Sequence, residues 1–114
     1  MSYFIQKKQS LHVVLDTNAT IIDIESNIDE LAINKSAYIG KNWFDSFIGT
    51  SDRDKAIKVF SRLLNGKTEK KLTHHNDIKC KNGKHLLLDF ESEVIIENDE
   101  KRVVSKGVLR YQPF

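Results

Sequence analysis

Residues 72–96, LTHHNDIKCKNGKHLLLDFESEVII, constrain the fold more than any other stretch of the chain. Two runs of alternating polarity flank Asn82-Gly83, a dipeptide that adopts positive φ readily and so closes hairpins. In the second run Leu86, Leu88, Phe90, Ser92, Val94 and Ile96 share one face, and His85, Leu87, Asp89, Glu91, Glu93 and Ile95 share the other. A sheet with one apolar face follows.

The pairing register decides what else that face carries. A two-residue turn at Asn82-Gly83 sets Leu86 against Lys79, Leu88 against Asp77 and Phe90 against His75, burying charge beside an apolar stripe. A three-residue loop, Lys81-Asn82-Gly83 with Gly83 left-handed in a bulged turn, instead pairs Ile78 with Leu86, Asn76 with Leu88 and His74 with Phe90. It also sets His75 opposite Asp89 and Lys71 opposite Glu93 on the outer face. The second register is expected, and it turns His74 and Asn76 inward. An unpaired buried polar group costs about 1–3 kcal/mol, so two readings stand. Either helix or loop backbone satisfies both side chains, or they contact a ligand in a pocket lined by Phe47, Phe60, Leu64, Leu88 and Phe90, with Trp43 and Ile78 completing the candidate set.

Around this hairpin the pattern is strand, helix, strand. Residues 11–16 and 21–24 alternate like strands about the turn residues Asp16-Thr17-Asn18-Ala19. Short helical patterns fill residues 26–48, with Ser26 or Asn27 placed to cap and Gly40 as a break. Ser51 or Asp52 is expected to cap a longer helix to Leu64, whose stripe Ala56, Ile57, Phe60, Leu63 and Leu64 faces the core and which Asn65-Gly66 ends. After a polar turn at Glu97-Asn98-Asp99-Glu100, residues 102–111 form the last strand. Tyr3, Phe4 and Ile5 mark a short N-terminal helix over residues 2–9 that needs a docking partner to be stable. The expected fold is a single α+β domain with a five-stranded antiparallel sheet covered on one face.

Composition narrows the function classes. With 114 residues the chain builds one core. Its 18 basic and 16 acidic residues are well mixed, and the densest basic stretch, residues 67–71, is broken by Glu69, so no clustered basic face for nucleic acid is expected. Apolar runs such as Val13-Val14-Leu15 stop at three residues, far short of a bilayer span. The opening MSYFIQKKQS lacks the apolar core of a secretory signal, and the lone Cys80 allows no internal disulfide, so a cytoplasmic location is expected.

Three segments in order resemble the PAS family, and the similarity spans residues 11–111. Val13-Val14-Leu15-Asp16-Thr17-Asn18-Ala19-Thr20-Ile21 resembles the family's opening hairpin. The run from Tyr38 through Gly40-Lys41-Asn42-Trp43-Phe44 to Ile48 resembles its stretch before the long helix, and Asn76-Asp77-Ile78-Lys79-Cys80-Lys81-Asn82-Gly83 resembles its "E-N-x-I-x-t-K-D-G" hairpin, with His75 in place of the acidic residue. The resemblance implies residues 11–114 as a PAS domain with a cavity between helices and sheet, and residues 1–10 as a helical cap or dimerisation segment. It further implies a bacterial sensory or dimerising module, forming homodimers and signalling to an attached or partner effector such as a histidine kinase, diguanylate cyclase or chemoreceptor. On that basis the chain is either a fragment of a longer sensor or a free-standing module, the fragment being the favoured expectation.

Departures from the family pattern shape the cofactor expectations. Gly40-Lys41-Asn42 is followed by Trp43, where the blue-light branch has the cysteine that bonds flavin, and the long helix lacks the histidine of the haem oxygen sensors. The family's closing Asp-Ile-Thr trio is replaced by Tyr111-Gln112-Pro113. Adjacent strand residues point to opposite faces, so His74 and His75 cannot share a metal, and no metal site is expected. His12 and His85 are expected at the surface. Cys80 has only His85 as a loose neighbour, so no catalytic residue is expected, the remote alternative being a small enzyme with His74 as base. Leu87 and Ile95 among charged residues make the outer sheet face an expected working surface, and the family resemblance implies that it dimerises together with the N-terminal segment.

Overall fold

The computed structural model describes residues 8–66 and 71–110. The β3–β4 hairpin, with β3 at Lys71–Lys79 and β4 at His85–Glu97, forms in the three-residue-loop register: Ile78 faces Leu86, Asn76 faces Leu88, His74 faces Phe90 and His75 faces Asp89. Gly83 sits at φ +85°, a conformation with little steric cost only for glycine, and backbone hydrogen bonds between Cys80 and Lys84 and between Gly83 and Cys80 close the loop. Lys71 stands opposite Glu93, but its ammonium pairs diagonally with Glu91 at 3.2 Å.

Strands β1 (Ser10–Leu15), β2 (Ile21–Ser26) and β5 (Glu100–Leu109) complete an antiparallel sheet in the order β2-β1-β5-β4-β3. The first turn is built as its chemistry demands: the Asp16 carboxylate accepts from the backbone N–H of Asn18 and Thr20, and Ala19 turns left-handed at φ 62°. Asn98 and Asp99 are both at positive φ, giving the two-residue turn that pairs Glu97 with Glu100, Ser92 with Ser105 and Phe90 with Gly107. On the covered face lie Leu11, Val13, Leu15, Leu88, Phe90 and Val103, all buried.

Helices α1 (Lys35–Tyr38), α2 (Trp43–Phe47) and α3 (Arg53–Asn65) cover that face. Asn42 caps α2 by accepting from the Asp45 N–H at 3.0 Å, and its neighbours Trp43, Phe44 and Phe47 go into the core. The segment around α2 also ties both sheet edges. At β2, Ile21 bonds Lys41 and Gly40, and Thr20 bridges Asn42; at β3, Ile48 bridges Ile78 and the Asp52 carboxylate accepts from the Asp77 N–H at 3.0 Å. Edge strands that would otherwise offer unpaired backbone are thereby partly covered.

Three expectations need correction. Asp52 occupies the N-cap position of α3 without bonding the helix backbone, because its carboxylate is committed to the sheet edge. Ile57 is 40% exposed: one residue on from Ala56 lies about 100° round the helix, and Val59 packs on the core instead. Ile96 is 65% exposed, since it pairs with Lys101, whose ammonium reaches the Leu64 carbonyl at the last turn of α3, where the helical cover ends. Gly66 ends α3 left-handed, as expected. The N-terminal helix lies outside the described residues except for Lys8 and Gln9, as does the Tyr111-Gln112-Pro113 segment. No helix among the described residues is long and apolar enough to cross a membrane.

At the centre of the covered face Gly107 is buried, and a Cβ there would lie 2.6 Å from the Phe90 ring and 3.0 Å from Leu88. The Phe90 ring is held between Trp43 and His74 and has nowhere to retreat. Gly107→Ala is therefore expected to cost about 1–3 kcal/mol through overpacking, read as a lower midpoint in chemical denaturation; an unchanged midpoint would show that Phe90 has slack.

Candidate functional site

Because β3 and β4 pair in this register, one inward row of polar side chains crosses three strands. The Asn76 Nδ2 lies 3.1 Å from His74 Nδ1, His74 Nε2 lies 3.0 Å from Ser92 Oγ, and Ser92 Oγ lies 2.6 Å from Ser105 Oγ. The first two are i, i+2 neighbours on β3, and the two serines face each other across β4 and β5. The chain reads consistently in one direction: the Asn76 amide donates to Nδ1, so the neutral ring carries its proton on Nε2 and donates to Ser92. His74 also stacks on its cross-strand partner Phe90, with centroids 5.4 Å apart and planes 9° from parallel.

This arrangement corrects the expectation that helix or loop backbone satisfies the two inward polar groups. They bond to each other and to the serines. One atom is left over: Asn76 Oδ1 has no hydrogen-bond partner among the described residues, in a residue only 2% exposed. Orphaned buried acceptors are uncommon and call for an explanation.

Asn76 lines a cavity of about 30 Å³ between α3 and the sheet. His74, Ser92 and Ser105 form its polar wall, Trp43, Phe44, Ala56, Val59, Phe60 and Leu63 its helical wall, and Leu15 and Val103 its remaining floor. Space of that size holds about two water molecules. Of the sequence candidates, Trp43, Phe60, His74 and Asn76 meet there. Phe90 stands behind His74, Phe47 packs on Tyr38 and Trp43, and Ile78 and Leu88 are fully buried beside them; Leu64 is partly buried at the end of α3.

The serines are what the sequence reading passed over. Ser92 falls on the inward face by alternation, yet no role attaches to it there. The two-residue turn at Asn98-Asp99 places Ser105 opposite it, and a facing pair of inward serines was the available signal.

A larger groove of about 590 Å³ opens on the other side of the sheet, lined by Thr73, His75, Asp89, Glu91, Lys106 and Val108 among others. It is wide, charged and solvated, with Asp89 already paired to Arg110. The smaller site under α3, with apolar walls and a few convergent polar groups, offers more recognition for a small molecule.

Burial lowers the His74 pKa from 6.5 to about 4, with lesser contributions from the charges of Lys55 and His75. Both ring nitrogens are engaged and the ring is weakly basic, which removes the physical basis for His74 as a general base near neutral pH. Cys80 is buried, and burial raises its thiol pKa, so it is not a ready nucleophile. Among the described residues no group of three or more His, Cys, Asp or Glu is placed to hold a metal ion.

The His74 shift makes stability depend on pH. The unfolded chain takes up this proton at the ordinary value of 6.5 and the folded chain only near 4, so the contribution is complete above the first value and is lost as pH falls toward the second. At about 1.4 kcal/mol per pKa unit, discounted for partial solvent access, the loss is on the order of 2 kcal/mol. Chemical denaturation across this range should show a shallower slope for His74→Gln than for the native chain; parallel profiles would contradict a neutral, buried ring.

No protein-family model matches the sequence, and no curated protein matches it. Solved structures do. The PAS domain of the Cronobacter turicensis quorum-sensing receptor RpfR in complex with C12:0 superposes with a TM-score of 0.76 at 16% identity, covering 95% of this chain and 100% of that one. The Drosophila melanogaster Cycle PAS-B domain with bound ethylene glycol gives 0.75 at 10% identity, covering 88% and 99%. A domain of a sensory box sensor histidine kinase/response regulator from Geobacter sulfurreducens gives 0.65 at 13% identity, covering 87% and 81%. At these identities the likeness is one of fold, and it agrees with the strand order, helix placement and hairpin register described above: the chain has the PAS fold.

Proposed function

We propose that the chain is a sensory PAS module that binds a small molecule between α3 and the sheet and relays occupancy to an attached or partner effector, such as a histidine kinase, diguanylate cyclase or chemoreceptor of a bacterial cytoplasm. The observation that carries this reading is the orphaned Asn76 Oδ1, buried at one end of the Asn76–His74–Ser92–Ser105 row in a residue that lines the cavity. An unmet buried acceptor costs about 1–3 kcal/mol, so a partner from outside the row is expected at Asn76. Two of the structures with this fold hold small molecules, C12:0 in RpfR and ethylene glycol in Cycle PAS-B. In this proposal residues 11–114 form the sensor, and residues 1–10, with the outer sheet face, make a homodimer.

One observation favours a second reading. The cavity of about 30 Å³ is small and Phe47 and Phe90 fill the space around it, as in a module that only dimerises or docks. The two readings differ in what the purified protein carries or takes up. Native against denaturing mass spectrometry, after incubation with metabolite extract, is expected to show a mass excess that His74→Ala diminishes and His75→Ala retains, because only His74 faces inward. Absence of any excess would favour the interaction module; equal loss from both variants would contradict binding at the inward row.

A further inference from the structure

We infer that the interior site selects an uncharged, hydroxyl-bearing molecule and discriminates against carboxylates. This rests on the proposed interior binding and deepens it to a ligand class. Every side chain bordering the cavity is apolar or neutral: three polar donors or acceptors besides Asn76, namely His74, Ser92 and Ser105, and otherwise hydrocarbon and aromatic walls. Among the described residues no lysine or arginine borders it, and Lys55, which adds to the lowering of the His74 pKa, is not one of the lining residues. A carboxylate entering this space would be desolvated with no counter-charge, the costliest way to bury a polar group. The unpaired oxygen of the lining residue Asn76 is an acceptor and offers a carboxylate no hydrogen bond.

A hydroxyl meets the opposite conditions. Once α3 has moved to uncover it, the idle Asn76 oxygen can accept from such a hydroxyl, whose own oxygen can accept in return. The hydrocarbon part of such a molecule would lie against Val59, Phe60 and Leu63 of α3. Because the space of about 30 Å³ holds no more than about two waters, the ligand must press α3 away from the sheet as it enters. Occupancy is thereby coupled to the position of the one long helix.

The test compares 1-butanol with butyrate, which share a carbon chain and differ in charge, titrated into the full chain at neutral pH and followed by ¹H–¹⁵N NMR. Butanol is expected to shift the Asn76 side-chain amide and the backbone of Ala56 and Leu63 saturably, with butyrate at least about tenfold weaker, the equivalent of about 1.4 kcal/mol. Asn76→Leu should weaken butanol by a similar factor. Butyrate binding as tightly as butanol at the same residues would overturn the ligand class while leaving interior sensing intact. Shifts from neither compound would overturn both, and an Asn76→Leu protein that binds butanol unchanged would reduce the site to apolar filling and overturn recognition by the amide.

Discussion

The interaction on which the rest of this structure depends is the closure of the β3–β4 hairpin by three residues instead of two. Cys80 bonds Lys84, Gly83 turns left-handed, and every residue of β3 is thereby assigned a face. Slipping the register by one would exchange His74 and Asn76 for His75 and Asp77 on the covered side. Leu86, Leu88 and Phe90 hold the chosen register from the opposite strand, and Ile48 and Asp52 clamp it from the edge. The polar row beneath α3 is thus a consequence of a turn roughly a strand length away.

That row explains how a PAS fold keeps four polar side chains inside an apolar layer. Two hydrogen bonds and a ring stack against Phe90 satisfy the imidazole, burial holds it neutral, and a third bond joins Ser92 to Ser105, while Gly107 leaves room for the Phe90 ring behind His74. Such networks favour one arrangement when complete and are costly where they are not. Here the incompleteness is confined to Asn76 Oδ1, in a residue that lines the cavity together with Ala56, Val59, Phe60 and Leu63 of the long helix. The site's chemistry is therefore concentrated at one atom and its mechanical link at one element.

Much of this was legible in the sequence because local chemistry and long-range packing agree. The alternation of Leu86, Leu88 and Phe90, the Asn82-Gly83 turn and the stripe on α3 each point to the same sheet and cover. The inward placement of His74 and Asn76 followed from charge avoidance alone. Side-chain partnership did not follow, because it depends on a third strand: Ser105 meets Ser92 only once β5 is paired through Asn98-Asp99. The size of the cavity was likewise out of reach. Phe44, Val59 and Leu63 close the space from the helices, and how far they intrude depends on the packing of α2 and α3 on the sheet, which periodicity does not report. Asp52 misled for a similar reason, since cap chemistry and edge chemistry use the same carboxylate.

The central claim is that His74 lies inside as a neutral ring with a fixed tautomer, bonded at Nδ1 to Asn76 and at Nε2 to Ser92. Long-range ¹H–¹⁵N correlation of the imidazole at neutral pH addresses this directly. The account requires a bare Nδ1, a protonated Nε2 whose hydrogen exchanges slowly, and no titration of the ring near the ordinary histidine value. A ring that averages between tautomers, exchanges freely and titrates near the ordinary histidine value would contradict it.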